Sequence, residues 1–164
     1  MGNDLTVSVK TAYDQIKRLT DGLKFVRETD VLVGVPQKTS SRAGSVSNAE
    51  LMYIHTNGSP INRIPPRPTI EPAIQEPGNR ARIQQLLKDG ITQALQGNVQ
   101  AAESAYKKAG MYAVSAVQKK FTDGSLAPNA PSTIERKRDH STMPLIDTGI
   151  LRQSITFVVR RKGR

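Results

Sequence analysis

Apolar residues recur every three or four positions in three long stretches of the chain, and this spacing predicts amphipathic helices. The first stripe covers residues 13–26, directly after residues 5–9, where apolar and polar residues alternate as in a strand. The second covers residues 79–95 and the third residues 99–121. We expect the last two to be the framework of the fold, because the Ala-rich stripe of the third lets another element pack closely against it.

Two shorter runs are rich in β-branched residues and predict strands. The first is VLVGVP at residues 31–36, and the second is SITFVV at residues 154–159. The sequence therefore predicts an α+β fold in one domain spanning residues 1–164. Its small, mostly antiparallel sheet packs against the two long helices, and residues 5–9 can add a further strand.

The remaining segments predict short helices and irregular backbone. Ser47 or Asn48 can cap a helix that ends at Asn57-Gly58, a second short helix covers residues 133–139, and Asp147 or Thr148 can cap a third. The polar residues 37–47 predict a mobile loop. Residues 59–77 predict an extended arm, because Pro fixes its own φ, lacks an N–H and pushes the preceding residue to an extended conformation.

Residue types exclude most kinds of chemistry. The chain has no Cys, and its two histidines, His55 and His140, stand in no metal-ligand spacing. No phosphate-binding loop or hydrolase motif is present, and Asp139, His140 and Ser141 are sequence neighbours, which rarely form a triad. We therefore expect no catalytic residue, no cofactor and no metal site. No apolar run is long enough to cross a bilayer, so no membrane contact is expected.

The charge of the chain favours acidic or phosphate-bearing partners. Lys and Arg number 24 against 14 Asp and Glu, which gives a net charge of +10. In residues 10–27 the cations are typical of a solvated helix face, whereas residues 160–164 form a basic tail. Non-specific binding to DNA is therefore a candidate function. The tail residues that could face DNA are Arg160, Arg161, Lys162 and Arg164.

Four segments in a fixed order carry a resemblance to a known family. They are Val33-Gly34-Val35-Pro36, then ELMYIHTNG at residues 50–58, then Ile64-Pro65-Pro66-Arg67-Pro68, and finally PLIDTGILRQSI at residues 144–155. Together they resemble the tail-completion or neck proteins of tailed phages grouped with the tenth gene product of phage HK97, and more distantly the virion morphogenesis protein of phage Mu. The family has a large aromatic after the Arg-Pro pair, where this chain has Thr69.

The resemblance implies a non-enzymatic structural protein of the virion, assembled in the host cytoplasm. It implies a homo-oligomeric ring of six subunits in the neck or collar, around the channel through which DNA leaves. Its partners would be a head-side connector or stopper and a tail terminator, tube or sheath protein. The implied interface or structural residues are Pro65, Pro66, Arg67, Pro68, Leu145, Asp147, Thr148, Gly149 and Leu151. For Arg67, bracing its own fold and pairing across subunits are equally open.

Overall fold

The computed structural model describes the backbone of residues 3–37 and 46–162, and the side chains from Val9 onward in those ranges. Two strands, β1 and β2, pair as a small antiparallel sheet, and helices pack against it, which confirms the α+β prediction. In chain order the described elements are α1 Asn3–Glu28, β1 Thr29–Gly34, α2 Asn48–Asn57, α3 Ile70–Gln75, α4 Pro77–Leu95, α5 Val99–Lys120, α6 Pro131–Arg136, α7 Ile150–Gln153 and β2 Thr156–Arg161.

The predicted strand at residues 5–9 is wrong, because helix α1 already begins at Asn3. Val9 lies four positions before Tyr13 and seven before Ile16, so it continues the helical stripe as well as it completes an alternating pattern. Five residues are too few to separate the two periods. The sheet is thus limited, in the described part of the chain, to β1 and β2.

Contacts within the chain divide it into two compact units. Unit 1 comprises Met1–Leu32, Arg82–Gly110 and Val158–Arg164. Its hydrophobic cluster is formed by Phe25, Ala94, Ala102 and Tyr106, with the rings of Phe25 and Tyr106 5.3 Å apart. Gly22 allows α1 to lie directly on α4, because a Cβ atom there would meet the Ala94 carbonyl oxygen at 2.1 Å.

Unit 2 comprises Val33–Ala81 and Met111–Phe157. The second half of α5 supplies Val117 to its core, and Phe121 follows directly after the helix; both side chains are fully buried. Partly buried Val33 and Val35 of the first family segment pack against this cluster. Its buried members are Met52, Ala73, Val117, Phe121, Leu151 and Ile155.

Of the two residues predicted to cap helix α2, Ser47 is the one that does so. The Ser47 Oγ atom accepts from the Glu50 backbone N–H at 3.2 Å, and the Glu50 carboxylate accepts from the Ser47 N–H at 2.8 Å. This reciprocal capping box holds the pKa of Glu50 below its usual value, through the backbone N–H first and the hydroxyl of Ser47 second. The helix ends at Asn57, and Gly58 follows with a φ of 74°.

The Pro-rich segment is extended only in part, so the prediction of an extended arm over residues 59–77 needs correction. Ser59 and Ile64 form an antiparallel bridge around a turn, and α3 occupies Ile70–Gln75. Pro72 is tolerated in that helix because it lies in the first turn, where a backbone N–H has no helical partner. The predicted mobile loop 37–47 lies largely outside the described residues.

The predicted basic tail is also different in the structure. Arg160 and Arg161 are the last residues of β2, and Lys162 follows in a turn. The Lys162 N–H donates to the Glu28 carbonyl at 2.5 Å, and its Nζ atom lies 3.1 Å from an Asp30 carboxylate oxygen. The sheet therefore holds these three cations in place, whereas Arg164 lies outside the described residues.

Candidate functional site

A cavity of about 1170 Å³ opens on the surface of unit 2, and we call it the motif groove. Its walls come from the end of α2, the turn around Arg63, the loop before α6, α6 itself and the segment leading into α7. Two segments that are far apart in sequence meet here. Seven of the nine predicted motif residues line it, namely Pro65, Arg67, Leu145, Asp147, Thr148, Gly149 and Leu151.

Arg67 is buried in the wall of the groove and bonded to its own chain. Its side chain is 7% exposed, and its Nε and Nη2 atoms donate to the carbonyls of Ala127 and Pro128, each at 2.7 Å. Its backbone N–H donates to the His55 carbonyl at 2.6 Å. Burial lowers the pKa of the Arg67 guanidinium, which still stays protonated as arginine does in proteins. Arg67 thus ties the Pro-rich segment to α2 and to the loop before α6.

Lys137 holds the PLIDTG segment in the wall of the groove. Its Nζ atom donates to the Ile146 carbonyl at 2.5 Å and also to the Met143 carbonyl. Asn129 adds a second donor, and its Nδ2 atom reaches the carbonyls of Thr142 and Met143 at 3.1 and 3.2 Å. Irregular backbone leaves carbonyls without ladder partners, and cationic or amide side chains satisfy them here. The PLIDTG segment is therefore held in one shape.

The backbone of this segment adopts sterically restricted conformations. Leu145 has a φ of 59° and Gly149 a φ of 77°. A bulky residue with positive φ is a true outlier, and such strain persists where surrounding contacts fix it. Gly149 precedes α7 in the left-handed conformation, so glycine is the residue suited to this position.

The predicted capping role of Asp147 or Thr148 is wrong, because Gly149 is the residue that precedes α7 and no side chain caps that helix. Asp147 instead accepts weakly from the Arg138 N–H at 3.4 Å. Asp147 and Thr148 are both exposed at the groove, whereas Leu151 belongs to the core of unit 2. Pro66 and Pro68 are exposed and are not among the groove residues.

Comparison with known protein families, curated proteins and solved structures finds no match to this chain. The case for any function therefore depends on the geometry and on the sequence segments themselves.

The sequence neighbours Asp139 and Ser141 are bonded within their own turn. Asp139 accepts from the backbone N–H of Ser141 at 3.0 Å, and the Ser141 hydroxyl accepts from the Met143 N–H at 3.2 Å. These are local turn bonds of a surface loop. Within residues 3–37 and 46–162 no three His, Asp or Glu side chains cluster as a metal site would require. No helix among those residues is long and apolar enough to cross a membrane.

Sequence reasoning missed the residues that shape the groove from the α6 side. Lys137 lies in the basic run ERKRD, which reads as a solvated helix face, and Asn129 lies in a Pro-containing loop. The sequence around Lys137 and Asn129 does not show whether their side chains donate to loop carbonyls or to solvent. For Arg67 a signal was present, since an arginine between prolines projects from a stiff backbone and suits a fixed pair of acceptors.

Proposed function

We propose that this chain is a structural protein of a tailed-phage virion, part of the neck, collar or tail-completion ring that joins head to tail around the DNA channel. One observation carries the proposal. The Pro-rich segment and the PLIDTG segment, which bear the resemblance to neck proteins, are adjoining walls of the same groove. Segments that converge on one concave, partly apolar surface suit the docking of another protein chain.

The construction of the groove supports a binding role rather than a chemical one. Three of its basic residues donate to backbone carbonyls: Arg67 and Lys137 do so, and the Arg136 Nε atom donates to the Ser132 carbonyl at 2.9 Å. A general acid or base needs a positioned, titratable group directed at a substrate. The groove instead offers a shaped wall of Pro, Ile and Leu residues, which is suited to assembly.

Genetic removal of the chain tests the proposal. In the phage that encodes it, loss of the gene should give filled heads and complete tails that fail to join or to hold DNA, as seen by electron microscopy. Restoring the gene in trans should restore joined particles. Normal virions from the deleted strain would contradict the proposal.

A groove variant makes the test specific. Thr148 is exposed in the groove, and Thr148→Arg should place a large cation there without disturbing the core. We expect this protein to fold but to leave heads and tails unjoined. Thr142→Arg is the matched control, because Thr142 is exposed on the same loop but does not line the groove. If both variants restore joined particles equally well, the groove does not take part in joining heads to tails.

The alternative function, a non-specific DNA-binding accessory protein in phage DNA packaging, predicts a different result. Arg160 and Arg161 are exposed on β2 and could contact phosphates. If DNA binding is the main activity, the isolated protein binds duplex DNA with an affinity that falls steeply with salt, and replacing both arginines removes that binding. A deletion strain would then yield empty heads rather than separate filled heads and tails.

A further inference from the structure

The longest apolar stripe of helix α1 is exposed in the described part of the chain. Five large apolar side chains on one side of α1 are between 48% and 68% exposed. At 1.5 Å per residue the stripe extends for about 21 Å. Isolated exposed apolar residues are ordinary, but a contiguous row of this length marks an interaction surface. The residues of this α1 stripe are Val9, Tyr13, Ile16, Leu19 and Leu23.

The stripe faces away from the part of α1 that is packed. Within unit 1, the contacts of α1 include those of Arg18, Gly22, Phe25 and Val26. Their mean direction lies about 135° around the helix axis from the stripe, at 3.6 residues per turn. Leu23 is 54% exposed although its neighbour Gly22 lies against Ala94. The exposure therefore follows from the direction of the side chains, and not only from their position along the helix.

A row of lysines runs beside the stripe. Lys10, Lys17 and Lys24 are spaced by seven residues, so they form one line along the helix next to Val9, Tyr13 and Ile16. Lys10 and Lys17 form no ion pair with any described residue. The pKa of Glu28 is lowered mainly by the hydrogen bond from Arg27, and the charge of Lys24 adds to this. Spacings of four and three between apolar positions, with charges at heptad intervals beside them, are those of a helix that pairs with another helix.

The lysine row determines the chemistry of the partner. Two copies of α1 packed antiparallel would bring the two lysine rows together, and like charges at such positions are destabilising. No other described helix of this chain contains more than one carboxylate: α4 has Asp89 and α5 has Glu103. None of these described helices therefore offers the row of carboxylates that would complement the lysines.

We propose that the α1 stripe binds an amphipathic helix of a different protein, with apolar residues at heptad spacing and carboxylates facing Lys10, Lys17 and Lys24. This inference goes beyond the proposed function and does not depend on it. The charge pattern favours a helix over a lipid surface, because membrane-bound helices carry cations around the polar face, whereas α1 carries carboxylates there as well. On α1, Asp14 and Asp21 lie directly beyond the lysine row.

The probe for this surface is a synthetic peptide of four heptads with Ile and Leu at the core positions and Glu at both flanking positions. Its control is the same peptide with Lys at the flanks. Titrating each into the full-length protein and following fluorescence anisotropy should show preference for the acidic peptide by about tenfold, since three exposed ion pairs contribute modestly each. That preference should shrink as salt screens the charges.

Two sets of variants distinguish the contribution of the lysine charges to peptide binding from that of the apolar stripe. Lys10→Glu, Lys17→Glu and Lys24→Glu together should reverse the preference toward the basic peptide. The matched control reverses three exposed lysines elsewhere, Lys88, Lys108 and Lys119, and should keep the original preference. Ile16→Ala should weaken binding of the acidic peptide while circular dichroism stays unchanged, because Ala favours the helix.

Four results would overturn the proposal. One is equal or absent binding of the two peptides, and another is a charge reversal that acts equally at the control lysines. A third is sedimentation showing that the protein alone self-associates through α1 in a manner abolished by Ile16→Ala. The last is tighter binding to phosphatidylserine-containing vesicles than to the acidic peptide, again lost in the α1 variants, which would assign the stripe to a membrane.

Discussion

Helices α1 and α5 both carry an apolar stripe in sequence, but the α5 stripe is buried in the structure and the α1 stripe is exposed. The α5 stripe is 5% exposed or less at each of the positions Ala102, Tyr106, Ala109, Ala113 and Val117. The α1 stripe is at least 48% exposed at every large apolar position from Val9 to Leu23. The apolar period thus predicts that a helix face will be buried. It does not say whether the residues that bury this face belong to the same chain.

The size of the side chains is the visible difference between the two stripes. The α5 stripe has Ala at three of those five positions, and small residues let neighbouring elements approach within a short interaxial distance. The α1 stripe has large residues beside lysines, as in helices that pair with separate helices. Where α1 does pack within unit 1, it uses Gly22, which follows the same small-residue rule.

The largest expected effect comes from removing a buried side chain at the end of the α5 stripe. Phe121 is 1% exposed in the core of unit 2, and Phe121→Ala should lower the free energy of unfolding by about 3–5 kcal/mol. Ile16→Ala on α1 should change it by no more than about 0.5 kcal/mol, as expected for an exposed position. Urea unfolding followed by circular dichroism measures both. Comparable losses would mean that the α1 stripe is covered within the chain.

Replacing Arg67 should have an intermediate effect on the free energy of unfolding, and the result distinguishes its two possible roles. Arg67→Ala removes two charge-assisted bonds to the carbonyls of Ala127 and Pro128 and should cost about 2–3 kcal/mol in the isolated protein. Arg67→Lys keeps the charge but lacks the planar fork, so it should recover only part of that loss. Exposed Arg160→Ala is the control.

A role of Arg67 in pairing with another subunit would give a different result. If its main role is to pair with another subunit, Arg67→Ala leaves the melting temperature of the unassembled protein unchanged and prevents ring formation, as measured by sedimentation. The bonds within the chain predict the opposite order, with the melting temperature falling first. Either result decides between the two interpretations that the sequence leaves open.

Much of the fold follows from local sequence signals, and the failures have physical causes. The capping residue before α2 and the apolar periods of α4 and α5 identify their helices, because each depends on contacts within a few residues. Residues 5–9 were assigned wrongly because a five-residue alternation fits both periods. The helix at Ile70–Gln75 was missed because a proline in the first turn looks the same in sequence as one that breaks a helix.

The groove was only partly predictable for a different reason. Its two motif segments are separated by more than sixty residues in sequence, from Pro68 to Leu145, and no local rule brings them together. The left-handed conformation of Leu145 opposes the ordinary preference of leucine, so only tertiary contacts such as those of Lys137 account for it. The role of Thr148 in binding stays a prediction.

The smallest expected effect concerns Asp123, which follows the C-terminal end of α5. Burial raises the pKa of Asp123, but the Lys120 ammonium, 2.7 Å away, and the Ser125 hydroxyl and N–H outweigh it and bring the pKa to about 2. An unfolded Asp titrates at about 3.9. A carboxylate whose folded pKa is depressed stabilises the protein above the unfolded value, and that stability is lost as pH falls through the folded value.

Asp123→Asn should therefore be less stable than the parent protein at pH 7, by an amount that stays constant down to about pH 4. Between about pH 4 and pH 2 the difference should shrink, because the parent carboxylate becomes protonated. Urea unfolding of both proteins across this range measures the difference directly. Asp89→Asn serves as the control, since exposed Asp89 accepts only from Gln85 on the same helix, at 2.8 Å. A difference independent of pH would show that the Asp123 carboxylate contributes through its shape and not its charge.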